Sequence, residues 1–129
     1  MKLLLDTHVW IWSLTAPDRI PAKVRRVLEK PGQDLWLSPV SVWELALLVE
    51  KGRIKIEGHL EAWLPRAVAR FQEAPVSHDI ATAFADIELA HGDPADRLIV
   101  ATARVLNLTL VTADHRLIDA KVVPTLRAL

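Results

Sequence analysis

No cysteine occurs in the 129 residues, which excludes disulfides and thiolate metal sites outright and agrees with the cytoplasmic location we expect. Charge of one sign is missing as well. The 16 Lys and Arg balance the 16 Asp and Glu, so no global field advertises a nucleic-acid partner. A few local cations still suffice to hold a phosphate backbone. The basic groups Lys23-Arg25-Arg26-Lys30 and Lys51-Arg53-Lys55 read first as solvated helix and loop faces. No uncharged apolar run is long enough to span a membrane. Met1–Leu5 resembles the start of a signal peptide, but Asp6 and His8 interrupt it too early. G-x-x-x-x-G-K, G-x-G-x-x-G and G-x-S-x-G are all absent, leaving P-loop, dinucleotide and serine-hydrolase readings without support.

What is present is a 51% apolar chain of a size expected to fold as a single domain over residues 1–129, burying roughly two thirds of its unfolded surface. Leu3–Leu5, Leu35–Leu37 and Thr109–Thr112 are short apolar runs that read as strands buried on both faces. Ala74–Ser77 and Val122–Val123 are weaker strand candidates. Apolar residues at helical spacing lie between them, at Ile20–Leu28, at Leu60–Phe71 with Pro65 a kink or break, at Ile80–Ile87, and from Leu98 to near Asn107. Ser38-Pro39 reads as an N-cap with proline at the first helical position. The alternation of strands and helices predicts an α/β fold with a parallel sheet.

Four carboxylates stand where strands end or helices begin: Asp6, Glu44, Asp96 and Asp114. In open parallel sheets, ligands bind beyond the carboxyl ends of the strands. Acids gathered there repel one another unless a hard cation such as Mg²⁺ or Mn²⁺ neutralises them, so the placement predicts a metal-dependent enzyme. Each acid also has a structural role open to it. Asp6 can cap the helix containing Val9 and Trp12, although Thr7 would serve. Glu44 completes a Ser-x-x-Glu capping box with Ser41, unless the helix starts at Ser38 and leaves Glu44 free to face Asp6. Asp96 suits the first turn of a helix capped by Asp93 and opened by Pro94. Asp114 can cap the segment His115–Ile118, and Thr112 before it either hydrogen-bonds water in a metal site or ends the strand.

Met1–Trp12 with Leu-Leu-Leu-Asp-Thr-His, then Ser-Pro-Val-Ser-Val-Trp-Glu-Leu, the stretch His91–Ala103, and Leu-Val-Thr-Ala-Asp ending at Asp114 follow one another in order. Together they resemble the PIN-domain family, in particular VapC-type toxins of toxin–antitoxin systems, over nearly the whole chain. The resemblance implies a three-layer α/β/α sandwich around a parallel sheet of about five strands. It also implies a Mg²⁺- or Mn²⁺-dependent endoribonuclease, an RNA substrate, a cognate VapB-type antitoxin that occupies the site, and a toxin homodimer. By position, Asp6 matches the family's principal metal ligand, Glu44 the glutamate of the third helix, Asp96 the acid opening the late helix, and Asp114 the final acid. Asp6 and Asp96 are then the expected metal ligands, since Mg²⁺ keeps several waters and needs few direct carboxylates. Glu44 and Asp114 would hold waters, orient the nucleophile or bind a second ion. The role of Asp93 stays open.

Arg97 and Arg116 flank the acids and suit either steering of RNA phosphates or an ion pair with a neighbouring carboxylate. The five tryptophans, with no tyrosine beside them, fit burial or an interface better than base stacking. Leu14, Trp63 and Leu64 are expected to help form a groove for an antitoxin helix. The histidines at 8, 59, 78, 91 and 115 show no ligand spacing. Two rival functions remain: a phosphatase with Asp6 as nucleophile, although no second aspartate stands two residues on, and a PIN-like binding module that does not cut.

Overall fold

A computed structural model describes residues 1–129. The strands are β1 (Lys2–Leu5), β2 (Asp34–Leu37), β3 (Gln72–Glu73), β4 (Thr109–Thr112) and β5 (Thr125–Arg127). They form one all-parallel sheet in the order β3-β2-β1-β4-β5. The helices are α1 (Thr7–Thr15), α2 (Ala22–Glu29), α3 (Pro39–Glu50), α4 (Leu60–Val68), α5 (His78–Ala83), α6 (Pro94–Val105) and α7 (His115–Ala120).

Side chains alternate across a strand, and both faces of this sheet are covered. Leu3 and Leu5 of β1 join Leu35, Leu37 and Val111 in a core with α1, α2 and residues of α3 and α4. Leu4 and Leu110 point the other way, into a second core with α5, α6 and α7. This double burial explains why β1 and β4 read as continuous apolar runs. The three-layer α/β/α sandwich and the five parallel strands are as expected. No helix is long and apolar enough to cross a membrane.

The edge strands sit elsewhere than the apolar signal placed them. The third is Gln72–Glu73, not Ala74–Ser77. Ala74 adds one further bond, its N–H to Leu37 O at 2.9 Å, and Pro75, without an N–H, stops the ladder. The fifth is Thr125–Arg127, not Val122–Val123. The two valines pack against the second core, so their apolar character serves packing. Pairing begins beyond Pro124, whose carbonyl accepts from Leu110 N–H.

Three helical expectations also shift in detail. Pro65 neither breaks nor ends α4. Having no N–H, it makes no helical bond to the carbonyl four residues back, at Glu61, an exposed residue. Phe71 lies beyond that helix and still packs on the first core. The pattern Ile80–Ile87 divides into α5 and a 3₁₀ turn at Phe84–Asp86. Arg97 clamps this turn, its Nη2 donating to Phe84 O at 2.9 Å and its Nε to Ile87 O at 3.2 Å. The guanidinium lies 3.9 Å from the centre of the Phe84 ring, a stacked geometry lysine does not reproduce. Arg97 is therefore engaged by carbonyls and a ring, and the expected ion pair with a neighbouring carboxylate does not form.

Candidate metal centre

Asp6 follows the last residue of central strand β1, with its N–H still on the sheet through Val111 O at 2.9 Å. It caps α1, Oδ1 accepting from Thr7 N–H at 2.8 Å. Its other oxygen, Oδ2, accepts from Thr112 Oγ1 at 2.7 Å, and Thr112 Oγ1 in turn accepts from Asp114 N–H at 3.0 Å. Thr112 thus ties the ends of neighbouring strands β1 and β4 together, binding two protein groups where water was one expectation. Capping and a place in the cleft are not alternatives for Asp6, because one oxygen caps while the carboxylate stays at the sheet edge.

Ser38 caps α3, accepting from Val40 N–H at 3.0 Å, with Pro39 at the first helical position. Glu44 is consequently in the second turn, and the capping box with Ser41 does not form. Ser41 is fully buried and its hydroxyl lies 2.8 Å from Thr7 Oγ1. Thr7 Oγ1 donates to Glu44 Oε1 at 2.5 Å. With its only proton committed there, Thr7 must accept from Ser41, and this chain of hydroxyls fixes Glu44 from α1.

Asp93 caps α6, accepting from Ala95 N–H at 2.9 Å. Asp96 follows in the first turn, is 8% exposed and meets His91 Nε2 through Oδ2 at 2.8 Å. Asp114 caps α7 through Arg116 N–H at 2.9 Å. The Arg116 side chain grips both its oxygens, Nε to Oδ1 at 3.1 Å and Nη2 to Oδ2 at 2.9 Å. Of the two roles open to Arg116, the ion pair is the one it adopts.

All four predicted acids, with Asp93, line one cleft of about 270 Å³ at the carboxyl edge of the sheet. Burial pushes the carboxyls of Asp6, Glu44 and Asp96 above their ordinary values. Hydrogen bonds from Thr112, Thr7 and His91 pull against burial in turn, and repulsion among the acids raises each further. Asp114 moves the other way, held low chiefly by its Arg116 hydrogen bond. An oxygen-rich donor set whose members resist ionising together fits a hard divalent cation of the Mg²⁺ or Mn²⁺ kind. His91, Asp96 and Asp114 each offer a donor atom within 4.8 Å of the others.

The sign of the pH dependence follows. Between the ordinary carboxylate pKa of about 4 and the raised values of Asp6, Glu44 and Asp96, the folded protein binds more protons than the unfolded chain. Metal-free stability is expected to fall as pH rises through that window. Asp114 acts oppositely and lower, losing its contribution as pH falls through its depressed pKa. Melting curves from pH 4 to pH 8 should show added Mg²⁺ stabilising most at the upper end; an equal gain at every pH contradicts the cluster.

A larger apolar cavity, about 360 Å³ and lined by Val42, Trp43, Leu64 and Phe71 among others, lies between α3 and α4; it lacks the acid cluster and is not this site. Leu14 and Trp63 line a different cavity from Leu64, so the three expected groove residues belong to two surfaces. Trp10 is fully buried, whereas Trp43 is 57% exposed. His8 lines the acid cleft. His91 is the group the sequence did not single out, because a loop residue touching an acid five positions on leaves no periodic signal.

A family model for the PIN domain matches residues 3–123. Ribonuclease VapC22 of Mycobacterium tuberculosis (strain ATCC 25618 / H37Rv) is 35% identical over 116 residues, covering 89% of this chain and 88% of that protein. VapBC2 from Rickettsia felis, solved bound to a DNA fragment from their promoter, matches with a TM-score of 0.76 at 19% identity over 98% of both chains. FitAcB from Neisseria gonorrhoeae matches with a TM-score of 0.68 at 27% identity, covering 98% of this chain and 97% of that one.

Proposed function

The chain belongs to the PIN-domain family, and on that premise we propose that it is a VapC-type toxin, an endoribonuclease whose catalytic acids are Asp6, Glu44, Asp96 and Asp114. The observation that carries the assignment is the convergence of these acids, from separate elements, into one cleft beyond the strand ends. Its similarity to Ribonuclease VapC22 supports RNA as substrate.

Asp6 and Asp96, the two most buried acids of the cleft, would hold a Mg²⁺ or Mn²⁺ ion. What the ion supplies when bound is charge neutralisation at the scissile phosphate and a more acidic water. Glu44, positioned by Thr7 and with its pKa raised, takes the proton of the attacking water. Asp114, kept ionised by Arg116, orients water beside it. Asp93 is engaged in capping and adds negative charge.

A VapB-type antitoxin is the proposed partner, supported by the VapBC assemblies that share the fold, and the active toxin is a homodimer. The mixed cavity at Leu14–Trp63 and the apolar one at Leu64 are where an antitoxin segment would seat. The purified protein incubated with total RNA should give discrete fragments in Mg²⁺ or Mn²⁺ and none in EDTA. Intact RNA under every ion would sink the nuclease reading in favour of a binding module. A phosphorylated Asp6 would favour the phosphatase.

A further inference from the structure

His91 takes no part in the chemistry above, yet it is the group that holds Asp96. Its Nε2 lies 2.8 Å from Asp96 Oδ2 and its side chain is 13% exposed. An ionised carboxylate only accepts hydrogen bonds, so Nε2 carries the proton and donates. Nδ1 is buried without a hydrogen-bond partner. A proton there would add an unsatisfied buried donor, which selects the tautomer with hydrogen on Nε2. Arg116 is committed to Asp114 and Arg97 to Phe84 and Ile87, leaving His91 as the side chain that fixes the Asp96 carboxylate. Asp96 Oδ1 has no protein partner among the hydrogen bonds of the fold, and the residue lines the acid cleft.

From this geometry we infer that His91 is a positioning residue of the metal centre: by donating to Oδ2 it locks the Asp96 carboxylate and leaves Oδ1 for the ion. The inference rests on the reading of Asp96 as a metal ligand. Groups that orient a ligand from behind typically contribute 10–100-fold to metal affinity. A direct role for the imidazole is the competing arrangement, since His91, Asp96 and Asp114 present donors close together. Through Nε2 it would break the bond to Asp96, and through Nδ1 it would need that buried nitrogen to reach the ion.

Mn²⁺ titration, followed by electron paramagnetic resonance on the full chain, separates these arrangements. His91→Gln places an amide N–H at the reach of Nε2, His91→Asn places it too short, and His91→Leu removes it. The expected result is near wild-type affinity for His91→Gln and roughly 10–100-fold weaker binding for His91→Asn and His91→Leu. Pulsed spectra of the wild type should show no nitrogen coupled to Mn²⁺. Wild-type affinity in His91→Asn and His91→Leu overturns the inference, as does a directly coupled nitrogen that disappears in His91→Gln. If His91→Leu fails to fold, the Gln and Asn pair carries the test alone. Absence of saturable Mn²⁺ binding by the wild type defeats the metal-centre reading itself, an outcome distinct from the others.

Discussion

Asp6→Asn protein is expected to gain almost no thermal stability from Mg²⁺, whereas the wild type gains about 10 °C. The wild-type figure follows from linkage. A ligand at a hundredfold excess over its Kd stabilises by about 2.7 kcal/mol. Divided by an unfolding entropy of roughly 2.1 cal/mol/K per residue, that is about 10 °C for a chain of 129 residues. Asn keeps the cap on α1, where its side-chain oxygen still accepts from Thr7 N–H, but it carries no charge to bind a cation. The same change should raise metal-free stability at neutral pH. It deletes a buried carboxylate whose ionised form is opposed by burial and by the charge of Asp96. Thr112 must turn its hydroxyl to suit the new amide, which offsets part of that gain. Calorimetry of both proteins with and without Mg²⁺ checks the two effects, and equal metal-induced shifts would contradict the assignment of Asp6 as a ligand.

The largest structural effect is expected at Trp10. Its side chain is fully buried, packs near Trp63 with ring centres 6.5 Å apart, and donates Nε1–H to Ala67 O at 3.0 Å. This one residue joins α1, which Asp6 starts, to α4. Trp10→Ala leaves a cavity and an orphaned carbonyl, and should cost about 3–5 kcal/mol. Trp10→Phe keeps one six-membered ring in place, leaves a smaller cavity and the same orphaned carbonyl, and should cost less, about 1–3 kcal/mol. Urea unfolding measures both. A loss in Trp10→Ala below that of Trp10→Phe would mean that the packing, as described, does not support α1.

The sequence was most legible where burial is two-sided and chemistry sits at element boundaries. Leu3–Leu5 and Thr109–Thr112 announce central strands because every residue faces one core or the other. Asp6, Asp96 and Asp114 follow strands or open helices, and topology alone brings such positions to one edge. Gln72–Glu73 could not be read this way, since an exposed two-residue edge strand has no apolar pattern of its own and is defined by pairing with Trp36 and Leu37. The contacts of Arg97 leave no such signal, because its partners are carbonyls of a turn 10 and 13 residues earlier. Glu44 was settled by the choice between two serine caps. Ser38 wins because proline is pre-organised for the first helical position, which frees Ser41 to bond Thr7.

The most direct test of the account is the rate at which wild type and Asp6→Asn cut one defined transcript in saturating Mn²⁺. A metal site typically supplies several kcal/mol of transition-state stabilisation, and each 1.36 kcal/mol is tenfold in rate. The folded Asp6→Asn protein should therefore cut at least about a hundredfold more slowly, and EDTA should stop the wild type. Equal rates for the two proteins would show that the cutting does not come from this cleft.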